Sequence, residues 1–406
     1  HRSRWSARSP PIASRPHLLG APTRRPRASP DPRTAPTRCP AAGDDASAAR
    51  YRRRVARERD TGHLSDVEGV LVGHHQRTGR GWQTGTTVVH VPNGAVCAVD
   101  VRGGGPGTRE TDALAPGNLV DRVHAVCLTG GSAYGLAAAD GVMAELERRR
   151  LGVPVGPDPA HVVPVVPAAV IFDLGRGGSF ANRPTAEFGS RALRAANRSA
   201  RRGAVGAGAG AHAGGLQGGV GMASAIVDIG SGVARVAALA VVNSSGCVID
   251  PVSAAPWVAH PAIRRPTAAD RRAWRDWVHA ATLERTAAPQ PLNTTVGVVA
   301  TDAALDRPEA GRLAMSAHDG LARAIHPAHA LTDGDAVFAL STGTQPLPVD
   351  AAGLVRTDTS RAVHLNSLCA AAAEVFALAC TDALVHAATL GDAPAYLDLC
   401  PSARRS

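Results

Sequence analysis

Residues 366–390 read as one long helix that is apolar over much of its circumference. Such a helix has no face to give to water, so it demands protein on several sides and a layered fold around it. Short β-branched runs are available to form the layers. Residues 70–72, 86–91, 95–101 and 123–128 read as strands, with Pro92-Asn93-Gly94 as a turn between the second and third. Further strands are expected at 223–227, 233–242, at the run beginning with Thr294, and at 336–341. Helices are expected at about 133–149, 186–200 and 308–325. In the last of these Leu313, Ala317, Leu321 and Ala324 line one face. Residues 162–174 are apolar and β-rich. Strands mixed with long buried helices, and no regular βαβ alternation, predict an α+β sandwich.

Charge is distributed unevenly. Residues 1–62 hold 15 Arg against 5 Asp/Glu, and the other 29 Arg are matched by 29 acids; no lysine occurs. The net charge of +10 therefore belongs to the N-terminal stretch. The body of the chain lacks the basic excess that phosphate neutralisation requires, and nucleic acid is not expected as a partner. The Arg/Pro-rich residues 1–62 read as a disordered extension without the apolar core of a secretion signal, and 63–406 as a single domain. Seven cysteines, an odd number with no C-x-x-C spacing and most in apolar runs, predict a reducing, cytoplasmic setting. No membrane span is expected, because Glu374 and Asp382 interrupt the longest apolar run.

Several motifs have two readings. The glycine stretch 203–221 contains G-x-G spacings but lacks the flanking strand, helix and acidic residue of a dinucleotide site, so close backbone packing is preferred and no cofactor is expected. His74-His75 are adjacent and have no nearby ligand set; they read as turn or surface histidines, with no metal expected, and His318 as structural. Residues 254–291 read as a solvent-facing linker with one helix near 268–281. Thr129-Gly130-Gly131-Ser132 joins a strand to a helix start, where backbone N–H groups are able to face an anion. Asn243 closes a strand before Ser244-Ser245-Gly246, as a turn cap or an oxyanion donor. Asp333-Gly334-Asp335 is a polar turn whose two carboxylates, at i and i+2, are able to reach one site.

The most informative run is Asn293-Thr294-Thr295-Val296-Gly297-Val298-Val299. It sets a hydroxyl at the first residue of a buried strand. If the chain is cut before Thr294, the freed α-amine, with an ordinary pKa of about 7.7–8.0, is able to serve as the base for its own hydroxyl.

Together, Val72-Gly73-His74, Thr129 to Leu136, the glycine loop through Gly219, residues 239–246, and the stretch from Thr294 through Gly343 resemble the DmpA-like family. This is the family of L-aminopeptidase/D-esterases, with β-peptidyl aminopeptidases and 6-aminohexanoate (nylon) oligomer hydrolases. Asn293-Thr294-Thr295, Ala314-Met315-Ser316-Ala317-His318-Asp319 and Asp333-Gly334-Asp335 look most like the nylon-oligomer branch. The resemblance implies a four-layer αββα sandwich of the DmpA and ornithine acetyltransferase-like type. It implies self-cleavage into 1–293 and 294–406, and processed pairs that assemble as a homotetramer. Thr294 would be the nucleophile, Asn293 would end the larger fragment, Asn243 and Tyr134 would stabilise the oxyanion or position substrate, and Asp333 and Asp335 would orient the amine. Gln217 stands where relatives commonly carry lysine, and supplies no charge.

The expected function is a self-processing amidohydrolase acting on small peptides, amino-acid amides or linear amide oligomers through an acyl-enzyme. The alternatives are an unprocessed, catalytically weak homologue that binds a small molecule, and an acyltransferase on the related fold.

Overall fold

The chain is described by a computed structural model covering residues 61–230, 232–287, 292–348 and 361–405. The expected disordered extension lies almost wholly outside the described residues. The described residues fall within one compact unit, 46–406. Thr61 already belongs to it: its hydroxyl is buried and donates to the Met222 carbonyl at 2.8 Å.

Nine strands form one hydrogen-bonded sheet that folds back on itself through its longest member. These are β1 (Leu71–Gly79), β2 (Trp82–Val101), β3 (Thr108–Arg109), β4 (Val123–Thr129), β5 (Ala168–Val170), β6 (Gly219–Asp228), β7 (Val233–Asn243), β8 (Thr294–Ala303) and β9 (Ala336–Gln345). The first part of β2 pairs with β1 and β4, and the last part, Val96 to Val101, pairs with β9. The expected turn at Pro92-Asn93-Gly94 is therefore a bend inside one continuous strand. The register against β4 shifts between His90 and Ala95, and Gly94 takes a positive φ of 71°, a conformation a glycine adopts without penalty. This bend sends β2 from one half of the sandwich to the other.

The first half runs β1-β2-β4-β5-β3 and the second β6-β7-β8-β9-β2. Most neighbours are antiparallel, but β4 and β5 are parallel, as are β8 and β9. Each parallel pair has a helix in its connection: α1 (Ala138–Arg148) in the first and α4 (Arg307–Ala324) in the second. There is no regular βαβ alternation, as expected, but these two local crossovers are not legible in short sequence windows, because a parallel partner is remote in the chain.

Three apolar interfaces make four layers. Between the half-sheets, Val72, Val89 and Leu128 meet Met222, Leu239, Val298 and Phe338. On the outer face of the first half, Val88, Ala125 and Cys127 pack against Ala139, Val142 and Leu146 of α1 and Ala192 and Leu193 of α2 (Ala186–Arg194). On the outer face of the second, Ala225, Ala238 and Val299 pack against Leu313 and Leu321 of α4 and Val375 and Phe376 of α5 (Arg361–Val385). This is the expected αββα sandwich. Helix α5 is long and apolar enough to cross a membrane, yet most of that apolar stretch is buried in this interface. The helix expected at 133–149 is instead a single turn, Ser132–Gly135, followed by α1.

The described part of the expected linker, residues 254–287, is not a linker. Helix α3 (Ala268–Ala287) buries Trp274, which donates to the Asp250 carbonyl at 3.1 Å and meets the Tyr396 ring edge-on. His260 is buried against Asp382. The Arg and Pro content of this stretch disguised the few apolar side chains that dock it. His74 and His75 are strand residues of β1, half-buried. His74 bonds Thr87 Oγ1 and the Arg201 carbonyl at 3.0 Å each, and burial pulls its pKa down to about 4.

Small residues let the layers approach closely. A Cβ added at Gly320 of α4 would lie 2.1 Å from the Ala373 carbonyl oxygen of α5, and one at Gly221 of β6 would lie 2.0 Å from the Ala379 oxygen. Gly141 and Gly189 make the same notch between α1 and α2, 1.7 Å from the Ala186 oxygen and 1.9 Å from the Ala138 oxygen. Scarce aromatics and abundant glycine are thus a packing statement: backbone meets backbone with little between. One buried charge ties the second half together. Asp382 of α5 accepts from Met222 N at 2.9 Å, lies 3.1 Å from His260 Nε2, and faces Thr61, His386 and Arg202. Burial would raise its pKa, but the hydrogen bonds from His260 and His386 and the Arg202 charge outweigh it and hold the carboxyl well below the ordinary range.

Two consequences are measurable by chemical denaturation. Gly320→Val should cost about 2–3 kcal/mol, because the added volume meets backbone that cannot swing aside. Asp382→Ala should cost about 3–5 kcal/mol by stranding its buried partners. Because its folded pKa is depressed, the Asp382 contribution is present above the unfolded value near 4 and lost as pH falls further. The variant should therefore show a shallower acid-unfolding profile below about pH 4 than the parent chain.

Candidate active site

Thr294 is the first residue of β8, an internal strand of the second half-sheet, flanked by β7 and β9. Along β8 the even-numbered Val296, Val298 and Ala300 face the layer between the half-sheets, and Val299 faces α5. Strand alternation puts the Thr294 side chain toward the inter-sheet layer, at its open end. Register pairs Thr294 with Asn243, the last residue of β7. Val241 and Leu239 face the same layer, so Asn243 does too. Directly opposed residues carry Cβ atoms roughly 4.5–5.5 Å apart, which makes these two side chains neighbours.

The peptide bond before Thr294 is held on both sides. Thr294 Oγ1 donates to the Asn293 carbonyl oxygen at 2.5 Å. Gly334 N–H donates to the same oxygen at 3.2 Å. Thr295 N–H donates to Asp335 Oδ1 at 2.7 Å, and Asn293 forms a parallel bridge to Asp333. The Asn293 side chain donates to Ser245 Oγ at 2.9 Å, and Ser245 donates in turn to Asp333 Oδ1 at 3.1 Å. Both carboxylates of the Asp333-Gly334-Asp335 turn therefore face the Asn293–Thr295 segment, because the parallel pairing of β8 with β9 sets the two strand entrances side by side. Burial raises the Asp333 pKa and the neighbouring Asp335 charge adds to it.

The turn is backed by a second loop. Arg102 N and Gly103 N donate to the Asp335 carbonyl at 2.9 and 3.2 Å, and Gly105 N to the Asp333 carbonyl at 2.7 Å. A Cβ at Gly103 would lie 2.3 Å from Asp335 N, so only glycine permits this approach. His329 Nδ1 lies 2.8 Å from Asp335 Oδ2, and its ring meets His318 edge-on at 5.0 Å. His318 is fully buried and bonds the Asp100 carbonyl at 2.9 Å, as its structural reading requires.

Asn243 is completely buried. Its Oδ1 accepts from His212 N at 3.0 Å and from Arg176 Nη1, while its Nδ2 donates to the Phe172 carbonyl at 3.3 Å. Gln217 is also fully buried, in a two-residue ladder with His212 and Ala213. Its Nε2 donates to the Ala211 and Gly218 carbonyls at 2.9 and 3.2 Å, so its NH2 is spent on the glycine loop, while Oε1 is buried with no partner among the described residues. Tyr134 lies in the Ser132–Gly135 turn. It is 55% exposed, with the Arg183 guanidinium stacked 3.8 Å over its ring. Its hydroxyl makes no hydrogen bond among the described residues. The structure thus gathers Thr294, Asn293, Asn243, Asp333 and Asp335, and leaves Tyr134 at the surface.

Sequence reading missed Ser245, Arg176, His212, His329 and the Gly334 N–H. Ser245 and Gly334 sit inside motifs that were noticed, but their bonds are made by atoms no motif singles out. Arg176, in an ordinary glycine-rich turn, carries no sequence signal. The glycine loop packs closely, as expected: a Cβ at Gly208 would lie 2.6 Å from Val220 N, and one at Gly210 would lie 2.3 Å from the Gln83 oxygen. Among the described residues, no group of three or more His, Cys, Asp or Glu is arranged to hold a metal.

Comparison with known proteins agrees with this fold. Of the solved structures, the L-aminopeptidase D-Ala-esterase/amidase of Ochrobactrum anthropi, described as a variant of the Ntn hydrolase fold, superposes with a TM-score of 0.61 at 21% identity. The match covers 82% of this chain and 88% of that one. A Burkholderia sp. beta-aminopeptidase superposes at 0.60 and 22% identity, covering 84% and 92%. At these identities the likeness speaks for the fold. In sequence, an uncharacterized aminopeptidase of Mycobacterium tuberculosis is 47% identical over 355 residues, which is 84% of this chain and 98% of the relative. A 6-aminohexanoate-oligomer endohydrolase of Kocuria sp. is 33% identical over 294 residues, 70% of this chain and 76% of the relative. The likeness to the mycobacterial aminopeptidase is thus stronger than that to the oligomer hydrolase. The model of peptidase family S58 matches residues 62–394, and the chain belongs to that family of amide-bond hydrolases.

Proposed function

We propose that the chain cuts its own Asn293–Thr294 bond and then hydrolyses amides with Thr294 as an N-terminal nucleophile. The observation that carries this is the pair of donors on the Asn293 carbonyl oxygen: the Thr294 hydroxyl at 2.5 Å and the Gly334 N–H at 3.2 Å. The hydroxyl stands beside the carbonyl it would attack, and a rigid backbone donor is aimed at the oxygen that would become negative.

In the first step Thr294 Oγ1 adds to the Asn293 carbonyl carbon, and its proton leaves to a neighbouring base. The Gly334 N–H stabilises the oxyanion. The C–N bond breaks, the nitrogen takes a proton, and Asn293 is left as an ester on Thr294. Water hydrolyses that ester, giving a carboxylate at Asn293 and a free amine at Thr294. Asp333, joined to the Asn293 side chain through Ser245 Oγ, is the carboxylate that would exchange a proton here by that hydrogen-bonded link. In turnover the amine takes the hydroxyl proton as Oγ1 attacks a substrate amide. The leaving amine is protonated, and water then resolves the acyl-enzyme. Asn243, opposite Thr294, is placed to donate to the substrate oxyanion. Asp333 and Asp335 hold the segment that carries the amine. Tyr134 takes no step in this scheme: it is exposed at the turn after β4 under the Arg183 guanidinium.

The family's amide-bond chemistry, with a nucleophile that would also be a chain terminus, supports a substrate class of small peptides, amino-acid amides or linear amide oligomers. The mycobacterial relative is named an aminopeptidase and the Kocuria relative an oligomer endohydrolase, and both names are compatible with this class.

Purified protein should show two fragments on a denaturing gel, the smaller beginning Thr-Thr-Val-Gly-Val. Thr294→Ala should give one band and no amide hydrolysis; cleavage at the same bond in that variant would end the self-processing scheme. Gly334→Ala should slow the cut by about tenfold or more, because its Cβ would lie 2.9 Å from Thr294 Oγ1. Pulse-chase analysis of the full-length chain measures that rate, and an unchanged half-time would remove Gly334 from the scheme.

A further inference from the structure

Asn243 is only useful as an oxyanion donor if its carboxamide is turned the right way. A side-chain amide presents a donor at one end and an acceptor at the other, and the wrong orientation would aim an oxygen at a developing oxyanion. What decides the orientation lies across the sandwich, in the turn that follows β5.

Arg176 belongs to that turn and reaches from the first half-sheet to the end of β7 in the second. Its Nη1 donates to both Asn243 Oδ1 and the Gly210 carbonyl. Asn243 Oδ1 also accepts from His212 N at 3.0 Å. Two donors therefore converge on one amide oxygen. Turning the amide over would set its NH2 against both, and would lose a charge-assisted bond as well. The NH2 is thereby sent the other way. One proton goes to the Phe172 carbonyl at 3.3 Å, which leaves the second for the face that Asn243 shares with Thr294.

The guanidinium is also a permanent charge at this end of the site. Burial pulls its pKa down to about 10 while the Asp173 charge opposes the drop, so it stays ionised at neutral pH. Gln217, in the same glycine loop as Gly210, is neutral, with its NH2 given to the Ala211 and Gly218 carbonyls. Asp173 accepts from Gly131 N at 2.6 Å, so the same turn braces the residues leading into Tyr134. The turn takes this shape through Gly175, Gly177 and Gly178, all at positive φ.

We propose that Arg176 is a positioning residue for amide hydrolysis, acting by clamping the Asn243 carboxamide with its NH2 toward the reaction centre and by polarising it. This rests on the reading of Asn243 as oxyanion donor. A hydrogen-bonded cation on the amide oxygen makes the amide N–H a stronger donor, in a buried setting where such coupling counts.

A double-mutant cycle tests it with processed enzyme, using the amino-acid p-nitroanilide that the unsubstituted chain hydrolyses fastest. Arg176→Gln should lower kcat by roughly 10–100-fold with KM within about twofold, the signature of a lost transition-state contact. On an Asn243→Ala background the same substitution should cost less than about threefold, because the group it acts through is gone. Arg176→Lys should retain part of the loss, since an ammonium keeps the charge but not the planar donor geometry. Thermal unfolding of each variant checks folding, and should Arg176→Gln fail to fold, the cycle is run with Arg176→Lys. An equal drop in kcat on both backgrounds, or a kcat within threefold of the parent for Arg176→Gln, overturns the inference and leaves the role of Asn243 standing. If Asn243→Ala alone keeps full kcat, the oxyanion assignment falls and the clamp with it. Thr294→Ala, assayed in parallel, reports separately on the nucleophile.

Discussion

Everything at the site depends on one strand pairing. Because β8 lies between antiparallel β7 and parallel β9, its first residue stands opposite Asn243 and beside the Asp333-Gly334-Asp335 turn at once. None of these residues is near Thr294 in the chain except Asn293. The ladder along Thr295 to Thr301 is independent of the bond before Thr294, so a cut there leaves the nucleophile anchored by its own strand. A loop-borne terminus would gain freedom on cleavage; one that begins an internal strand does not.

The close approach of the layers serves the same end. Gly320 and Gly221 bring α4, α5 and the second half-sheet into backbone contact, Gly297 leaves room for the Phe376 ring of α5, and Gly103 lets the loop behind Asp335 approach its backbone. Distances at the reaction centre are therefore set by packed backbone rather than by the rotamers of long side chains. In the proposed scheme this matters twice. The chain's own carbonyl and a substrate carbonyl are served by different donors, Gly334 N–H in the first reaction and Asn243 in the second, and each is held by a different strand of the same half-sheet.

Electrostatically, the site sets acids on one side and a cation on the other. Asp333 and Asp335 flank the Asn293–Thr295 segment from the entrance of β9, and Arg176 arrives from the opposite half-sheet. Burial works against both signs, raising the pKa of Asp333 and lowering that of Arg176. Each group is retained by specific partners: Ser245 and Ala330 N for Asp333, Asn243 and Gly210 for Arg176. The Asp382 cluster, in contrast, joins α5 to the N-terminal segment and the 254–291 region, and its bonds are those of a structural tie.

The sequence by itself determined the periodic and local features. The wholly apolar helix demanded layers, the β-branched runs supplied them, and Asn293-Thr294 before a buried strand offered a candidate nucleophile. Those readings rest on i to i+4 patterns that any window displays. What only the tertiary structure decided was every relation between remote residues. It made 82–101 a single bent strand shared by both halves, and docked residues 254–287, read as a linker, through Trp274 and His260. It also aimed the Gly334 N–H at the Asn293 carbonyl and laid Arg176 on Asn243. Backbone donors and long-range side-chain partners leave no periodic trace in a sequence, because the chain's order says nothing of which strand ends meet until the sheets have closed.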